Sequence, residues 1–301
     1  MKLRSTLLGI ILIVVLSACF SVAKVENSLL WKVSGNGLDK PSYLFGTHHL
    51  VPISFLDEIV GLDEAFGSVE QVVGELDMSK MESMQMAIMQ KAIMPQEYNY
   101  VDMLSEDDYK LLTSQVEEVI GLDFAILERM KPAMINNLLM ITLYQKYYPS
   151  MENGVGIDQS FQDKARENGL SVKGLEDADD QIFLLLESQS MERQAELLMC
   201  SIKHPELLKE QMDRLQDAYT TQNLGAITDL YNDDSDDSPC PSTDEEKNLM
   251  NEARNIKWLQ KLPQMMKEKP SFVAVGCLHL VGDEGLIEGL RQAGYKVEAV
   301  K

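Results

Sequence analysis

The sequence predicts an α/β (α+β) fold: a central mixed β-sheet from two pseudo-repeated strand–turn–helix–strand units at the chain ends, with a large helical insertion between them. Three observations carry this. Apolar, strand-like runs cluster at the two ends of the 301-residue chain, at 29–33, 43–45, 69–76, 271–275 and 295–300. The middle, 79–219, reads mainly as helix, with one further strand at 170–175. Finally, Gly46-Thr47-His48-His49-Leu50 and Gly276-Cys277-Leu278-His279-Leu280 share the pattern Gly-x-x-His-Leu. Each leaves an apolar strand, and each is followed by a helix and another strand.

The chain opens with Lys2 and Arg4, followed by an unbroken apolar run over 7–16. That run is too short to span a bilayer comfortably but has the length of a signal-peptide core. It ends in Leu16-Ser17-Ala18-Cys19, which resembles a bacterial lipobox. Residues 1–18 are therefore expected to be a signal peptide and Cys19 the lipid-bearing residue of an exported protein anchored in a membrane of the cell envelope. Residues 19–28 form a short tether to a single domain over 29–301.

Within that domain, strands 29–33 and 43–45 are joined by a turn through Gly35-Asn36-Gly37. A helix over 55–66 leads to strand 69–76. Ser105 followed by Glu106, Asp107 and Asp108 supplies an N-cap and an acidic first turn. Helix 156–168, strand 170–175 and helices over 179–219 follow. The acidic stretch 232–246 contains Pro239 and Pro241 and reads as a loop. Helix 248–267, strand 271–275, helix 284–293 and strand 295–300 complete the chain.

The net charge of −21 becomes −23 once Lys2 and Arg4 are removed (−21 − 2). Such acidity argues against nucleic acid and against a basic membrane-binding face. With Cys19 lipidated, Cys200, Cys240 and Cys277 remain, an odd number in an oxidising compartment. Cys277 lies in an apolar run and is expected to be a buried thiol, which makes Cys200–Cys240 the preferred pair.

In an open α/β sheet, ligands bind beyond the carboxyl ends of strands where the strand order switches. The two Gly-x-x-His turns would place His49 and His279 over one such edge. Gly46 and Gly276 let the backbone bend sharply or approach a ligand closely. Glu75 closes the run 69–76 and belongs at a third strand end. Two imidazoles and a carboxylate suit a divalent metal ion, with zinc, manganese and cobalt as candidates. Glu75 is then either a third ligand or the general base that activates water.

Three other features carry less. Met78, Met81, Met84, Met86 and Met89 resemble a Cu(I)-binding run, but on a helix they describe a buried or lid-like apolar face that would overhang the cleft. Cys200 and His204 sit one turn apart without further zinc ligands nearby. The stretch from Asn232 to Asp237 lacks the glycine and the closing glutamate of an EF-hand.

The chain resembles the TraB/PrgY/GumN family, whose animal relatives are the Tiki proteases. The resemblance runs from about Leu29 to the C-terminus. It rests on Leu44-Phe45-Gly46-Thr47-His48-His49, Val73-Gly74-Glu75-Leu76-Asp77, Gly156-Ile157-Asp158 with Phe161, and Gly174-Leu175-Glu176 with Gln181. It continues in Arg254-Asn255 and in the run from Phe272 to Gly282. The resemblance implies a metal-dependent hydrolase, proteolytic in Tiki, using His49, His279 and Glu75. It implies Arg254 as the residue that orients substrate or steadies negative charge. His48 departs from the pattern, since the family usually carries an apolar residue there, and it would compete with His49 for the metal. The expected partner is a peptide or small-molecule substrate. Some family members are described as binding peptide pheromones, so a non-catalytic peptide- or ligand-sequestering protein is the alternative.

Overall fold

The computed structural model describes residues 27–149, 156–232 and 239–301. Six strands form one mixed sheet: β1 Leu30–Ser34, β2 Ser42–Thr47, β3 Gln71–Gly74, β4 Ser171–Gly174, β5 Ser271–Gly276 and β6 Lys296–Ala299, in the order β4-β3-β5-β2-β1-β6. β2, β3, β4 and β5 run parallel, and β1 is antiparallel to both β2 and β6. The central strands β2, β3 and β5 are buried almost throughout. Covered on both faces, they read as continuous apolar runs and not as alternating ones.

The connections explain why the duplicated turns meet. β2 leads to β3 by crossing β5, whereas β5 leads to β6 by crossing β2 and β1. The chain therefore departs in opposite directions from two adjacent parallel strands, registered Phe45 to Ala274 and Thr47 to Gly276. This is a switch point, and both Gly-x-x-His turns stand at its carboxyl edge.

One apolar core sits on the sheet, where Phe45, Phe66, Phe161 and Phe272 pack with ring centroids 4.8–6.0 Å apart. A second core lies among the inserted helices, around Leu112, Ile135, Leu139 and Leu198. The insertion is not purely peripheral: helix Ile157–Glu167 packs on β3, β4 and β5, and β4 is one of the sheet's two edge strands. Ser105 caps helix Glu106–Ile120 by accepting the Asp108 N–H. A disulfide joins Cys200 and Cys240, while Cys277 is a buried free thiol. At the termini, the Ser28 hydroxyl donates to the carbonyl of Val300, and the Gly46 N–H donates to that of Leu29.

One local expectation is corrected and another is narrowed to one of its two alternatives. The helix expected over 55–66 is broken into a 3₁₀ turn, Ile53–Glu58, and a helix, Leu62–Gly67. Gly61 between them has φ +76°, a left-handed conformation that a side chain would strain. On the methionine helix Met81–Lys91 only Met84 is buried, and Met86 and Met89 are exposed. Cys19 lies outside the described residues, as do 233–238 of the acidic stretch. No helix among the described residues is long and apolar enough to cross a membrane.

Candidate functional site

Glu75 follows β3 directly, Glu176 lies two residues beyond β4, and His49 and His279 follow β2 and β5. All four therefore rise from the carboxyl edge of the sheet. Helix Ala253–Glu268 brings Arg254 and Asn255 over the same edge, after a π turn at Asn248–Glu252. Such widened turns recur at functional sites.

The two signature glycines are required by close approach. A Cβ on Gly46 would meet Leu280 Cδ1 at 2.9 Å and Cys277 Cα at 3.1 Å. One on Gly276 would crowd Glu75 Oε1 at 3.3 Å. Neither residue has positive φ, so the glycines let the two turns and the carboxylate come together.

His49 stands in the cleft with 66% of its side chain in contact with solvent, and its Nδ1 is 2.7 Å from Asp158 Oδ2. The Thr47 hydroxyl donates to the other Asp158 oxygen at 2.7 Å. The hydrogen bond to Asp158 raises the His49 pKa to about 9 against the opposing effect of burial, with the charges of Asp158 and Glu75 adding to it. That direction favours the charged form of the ring. Its Nδ1–H points at Asp158, and its Nε2–H has no partner among the described residues.

His279 is the opposite case. Burial lowers its pKa to about 4, so it is neutral. The Asn255 amide nitrogen donates to Asn251 Oδ1 and to the carbonyls of His279 and Glu284. Asn255 Oδ1 is therefore the acceptor for His279 Nδ1–H at 2.8 Å. That fixes the tautomer and leaves the lone pair on Nε2.

That lone pair is taken: Arg254 Nη1 donates to His279 Nε2 at 2.9 Å and to the Met250 carbonyl at 3.1 Å. Arg254 Nε and Nη2 fork onto Glu176 at 2.7 and 3.0 Å, and Nη2 also reaches Glu75 Oε2 at 2.5 Å. All five guanidinium donors are thus spent inside the protein. The ring of Trp258 lies 4.8 Å beneath the guanidinium, and its Nε1–H donates to Glu176. Glu75 Oε1 accepts the Gly276 N–H at 2.8 Å. Burial disfavours the charge on Glu75, but His279, Arg254, the Gly276 N–H and His49 outweigh it and hold the carboxyl at about 2.

A continuous family match accompanies this geometry: the sequence model of the TraB/PrgY/gumN family covers residues 29–299. The chain belongs to the TraB/PrgY/gumN family. No curated protein and no solved structure matches it.

This family member brings His279, Glu75 and Arg254 together, with His49 at the cleft beside them. Of the expected metal ligands, His279 and Glu75 stand side by side. His279 Nε2 and Glu75 Oε1 are 3.9 Å apart, with the Arg254 guanidinium bonded to both residues. Among the described residues no three His, Cys, Asp or Glu side chains form a metal-holding group. His48 is turned away from the cleft, buried against the rings of Tyr144 and Tyr219, with a pKa lowered to about 4 chiefly by burial. His204 pairs with Glu206 at 3.6 Å, and Cys200 is in the disulfide. Met81 and Met84 line a cavity of about 260 Å³ that Glu176 also borders, so the methionine helix adjoins the site.

Sequence reasoning gave no role to Thr47, Asp158, Glu176 or Asn255. A usable signal existed for Glu176, which follows Gly174 at the end of β4 much as Glu75 follows Gly74 at the end of β3. Asp158 opens a helix, where an acidic residue reads as dipole compensation.

Proposed function

We propose that this protein is a cell-envelope hydrolase acting on peptides, lipid-anchored through Cys19. The observation that carries the reading is the pairing of a solvent-accessible imidazole, His49 on Asp158, with a buried carboxylate, Glu75, at one switch point. Amide hydrolysis needs a base for water, an acid for the leaving amine and a donor for the carbonyl oxygen. Glu75, once Arg254 releases Oε2, takes the proton of the attacking water. A C–O bond forms and the C–N bond breaks as His49 Nε2–H protonates the amine. Transfer of the proton from Glu75 to His49 restores the site. Every proton in this scheme is carried by the chain's own residues.

The export reading is supported by the lipobox-like Leu16-Ser17-Ala18-Cys19 and by the Cys200–Cys240 disulfide, which suits an oxidising compartment. A second reading, a non-catalytic peptide-sequestering protein, is favoured by the fact that both Glu75 oxygens and every Arg254 donor are engaged. The test is cleavage of a peptide library by the full chain in detergent, read by mass spectrometry. Cleavage lost in both His49→Ala and Glu75→Gln is expected. Retention of peptides without any cleavage would overturn the hydrolase in favour of the binding protein.

A further inference from the structure

A divalent ion on His279 and the guanidinium of Arg254 require the same atom. His279 Nε2 has a single lone pair, since Nδ1–H is committed to Asn255, and that lone pair accepts from Arg254 Nη1. Glu75 has one oxygen on the Gly276 N–H and the other on Arg254 Nη2. Coordination by His279 Nε2 breaks the bond from Arg254 Nη1, and an ion at Glu75 Oε2 sits against the guanidinium that already bonds that oxygen.

We infer that Arg254 is the resident cation of this site, and that Arg254 and a divalent ion exclude one another there. The charges point the same way. Glu75 and Glu176 bring two negative charges to a cleft wall where the guanidinium supplies only one positive charge. A second cation finds no lone pair on His279 while Arg254 is bonded to it. A divalent ion in place of Arg254 at Glu75 and His279 gains the carboxylate and the imidazole together.

The structure also supplies a place for Arg254 to wait. The Nε/Nη2 fork on Glu176 and the face of Trp258 hold the guanidinium without the Nη1 bond to His279 or the second Nη2 hydrogen on Glu75. Turning about that fork gives up Nη1 on His279 and Nη2 on Glu75 while keeping the guanidinium paired. Metal binding by His49, Glu75 and His279 then belongs to a second state of the site, with Arg254 parked on Glu176. This inference goes beyond the hydrolase reading and does not depend on turnover.

The test uses the full chain in detergent with Mn²⁺ as the probe, the free ion being counted by electron paramagnetic resonance. Arg254→Gln is expected to bind one Mn²⁺ at least tenfold more tightly than the wild type. The gain is expected to vanish in the double variant Arg254→Gln with His279→Gln. Binding no tighter than wild type in Arg254→Gln, or a gain that survives the loss of His279, overturns the inference. Should Arg254→Gln fail to fold, wild-type crystals grown with saturating Zn²⁺ decide it. Zinc on His279 Nε2, with Arg254 turned away, is the expected result. Zinc found elsewhere or nowhere, or zinc on Glu75 with Arg254 still bonded to His279, overturns it.

Discussion

Replacing Asp158 by Asn removes the charge that holds His49 while keeping an acceptor for the Thr47 hydroxyl. In the native protein the ring's pKa rises from 6.5 to about 9, principally through its hydrogen bond to Asp158. At about 1.4 kcal/mol per tenfold change in proton affinity, that difference corresponds to ~3 kcal/mol for a fully buried ring. Two thirds of the His49 side chain meets solvent, and screening brings the expected contribution down to about 1 kcal/mol. The sign follows from linkage. A raised histidine pKa stabilises the fold fully below about 6.5, and the contribution fades as pH climbs through about 9. Asp158→Asn should therefore cost about 1 kcal/mol at pH 6 and almost nothing at pH 9.5, read from urea midpoints. In the same variant, the His49 titration followed by proton NMR should move from about 9 to 6.5 or below. An unmoved midpoint, or equal destabilisation at both pH values, would refute the assignment of Asp158 as the partner that charges His49.

Two further outcomes are expected. Glu75, held at about 2, stabilises the fold above about 4.5 and loses that contribution as pH falls through 2; His279, kept neutral to about 4, opposes folding once unfolded rings protonate below 6.5. Urea midpoints should accordingly decline from pH 6.5 downward, with Glu75→Gln flattening the lower part of the decline; a midpoint at pH 3 equal to that at pH 7 contradicts both assignments. Gly46→Ala places a Cβ 3.1 Å from the Cys277 backbone and should cost about 1–3 kcal/mol by thermal melting, whereas Gly67→Ala, with open space around it, should cost far less.

Much of the fold was legible because burial writes itself into sequence. β2 and β5 read as strands from their apolar runs, and the repeated Gly-x-x-His placed His49 and His279 on one edge before any pairing was known. Boundaries moved by a residue or two, as at β3, where the apolar run 69–76 contains only Gln71–Gly74 as strand. Ends of that kind are set by ladder hydrogen bonds, which the apolar pattern does not report. The site was legible as a set of residues but not as a set of bonds. The resemblance implies an Arg254 that orients substrate or steadies negative charge; its motif does not report that the guanidinium has two carboxylates and an imidazole within reach. Which partners an arginine takes depends on elements far apart in sequence, here β3, β4 and β5 with the helix that carries it. The break at Gly61 was missed because Phe55, Leu62 and Phe66 look like one amphipathic face until the left-handed residue between them is seen.

The antiparallel pairing of β1 with β2 has a consequence for orientation. Leu30 lies opposite Phe45, so β1 begins where β2 ends, and β6 ends there too. Ser28, bonded to Val300, stands at the same edge of the sheet as the two histidine turns. Cys19 and Asn27 are eight residue-to-residue steps apart (27 − 19), a chain that stretches to at most ~28 Å. With a lipid at Cys19, the molecule would hang by the rim of its own cleft. The opening would then look down onto the bilayer surface, and the peptides within its reach would be those that lie on the membrane or emerge from it.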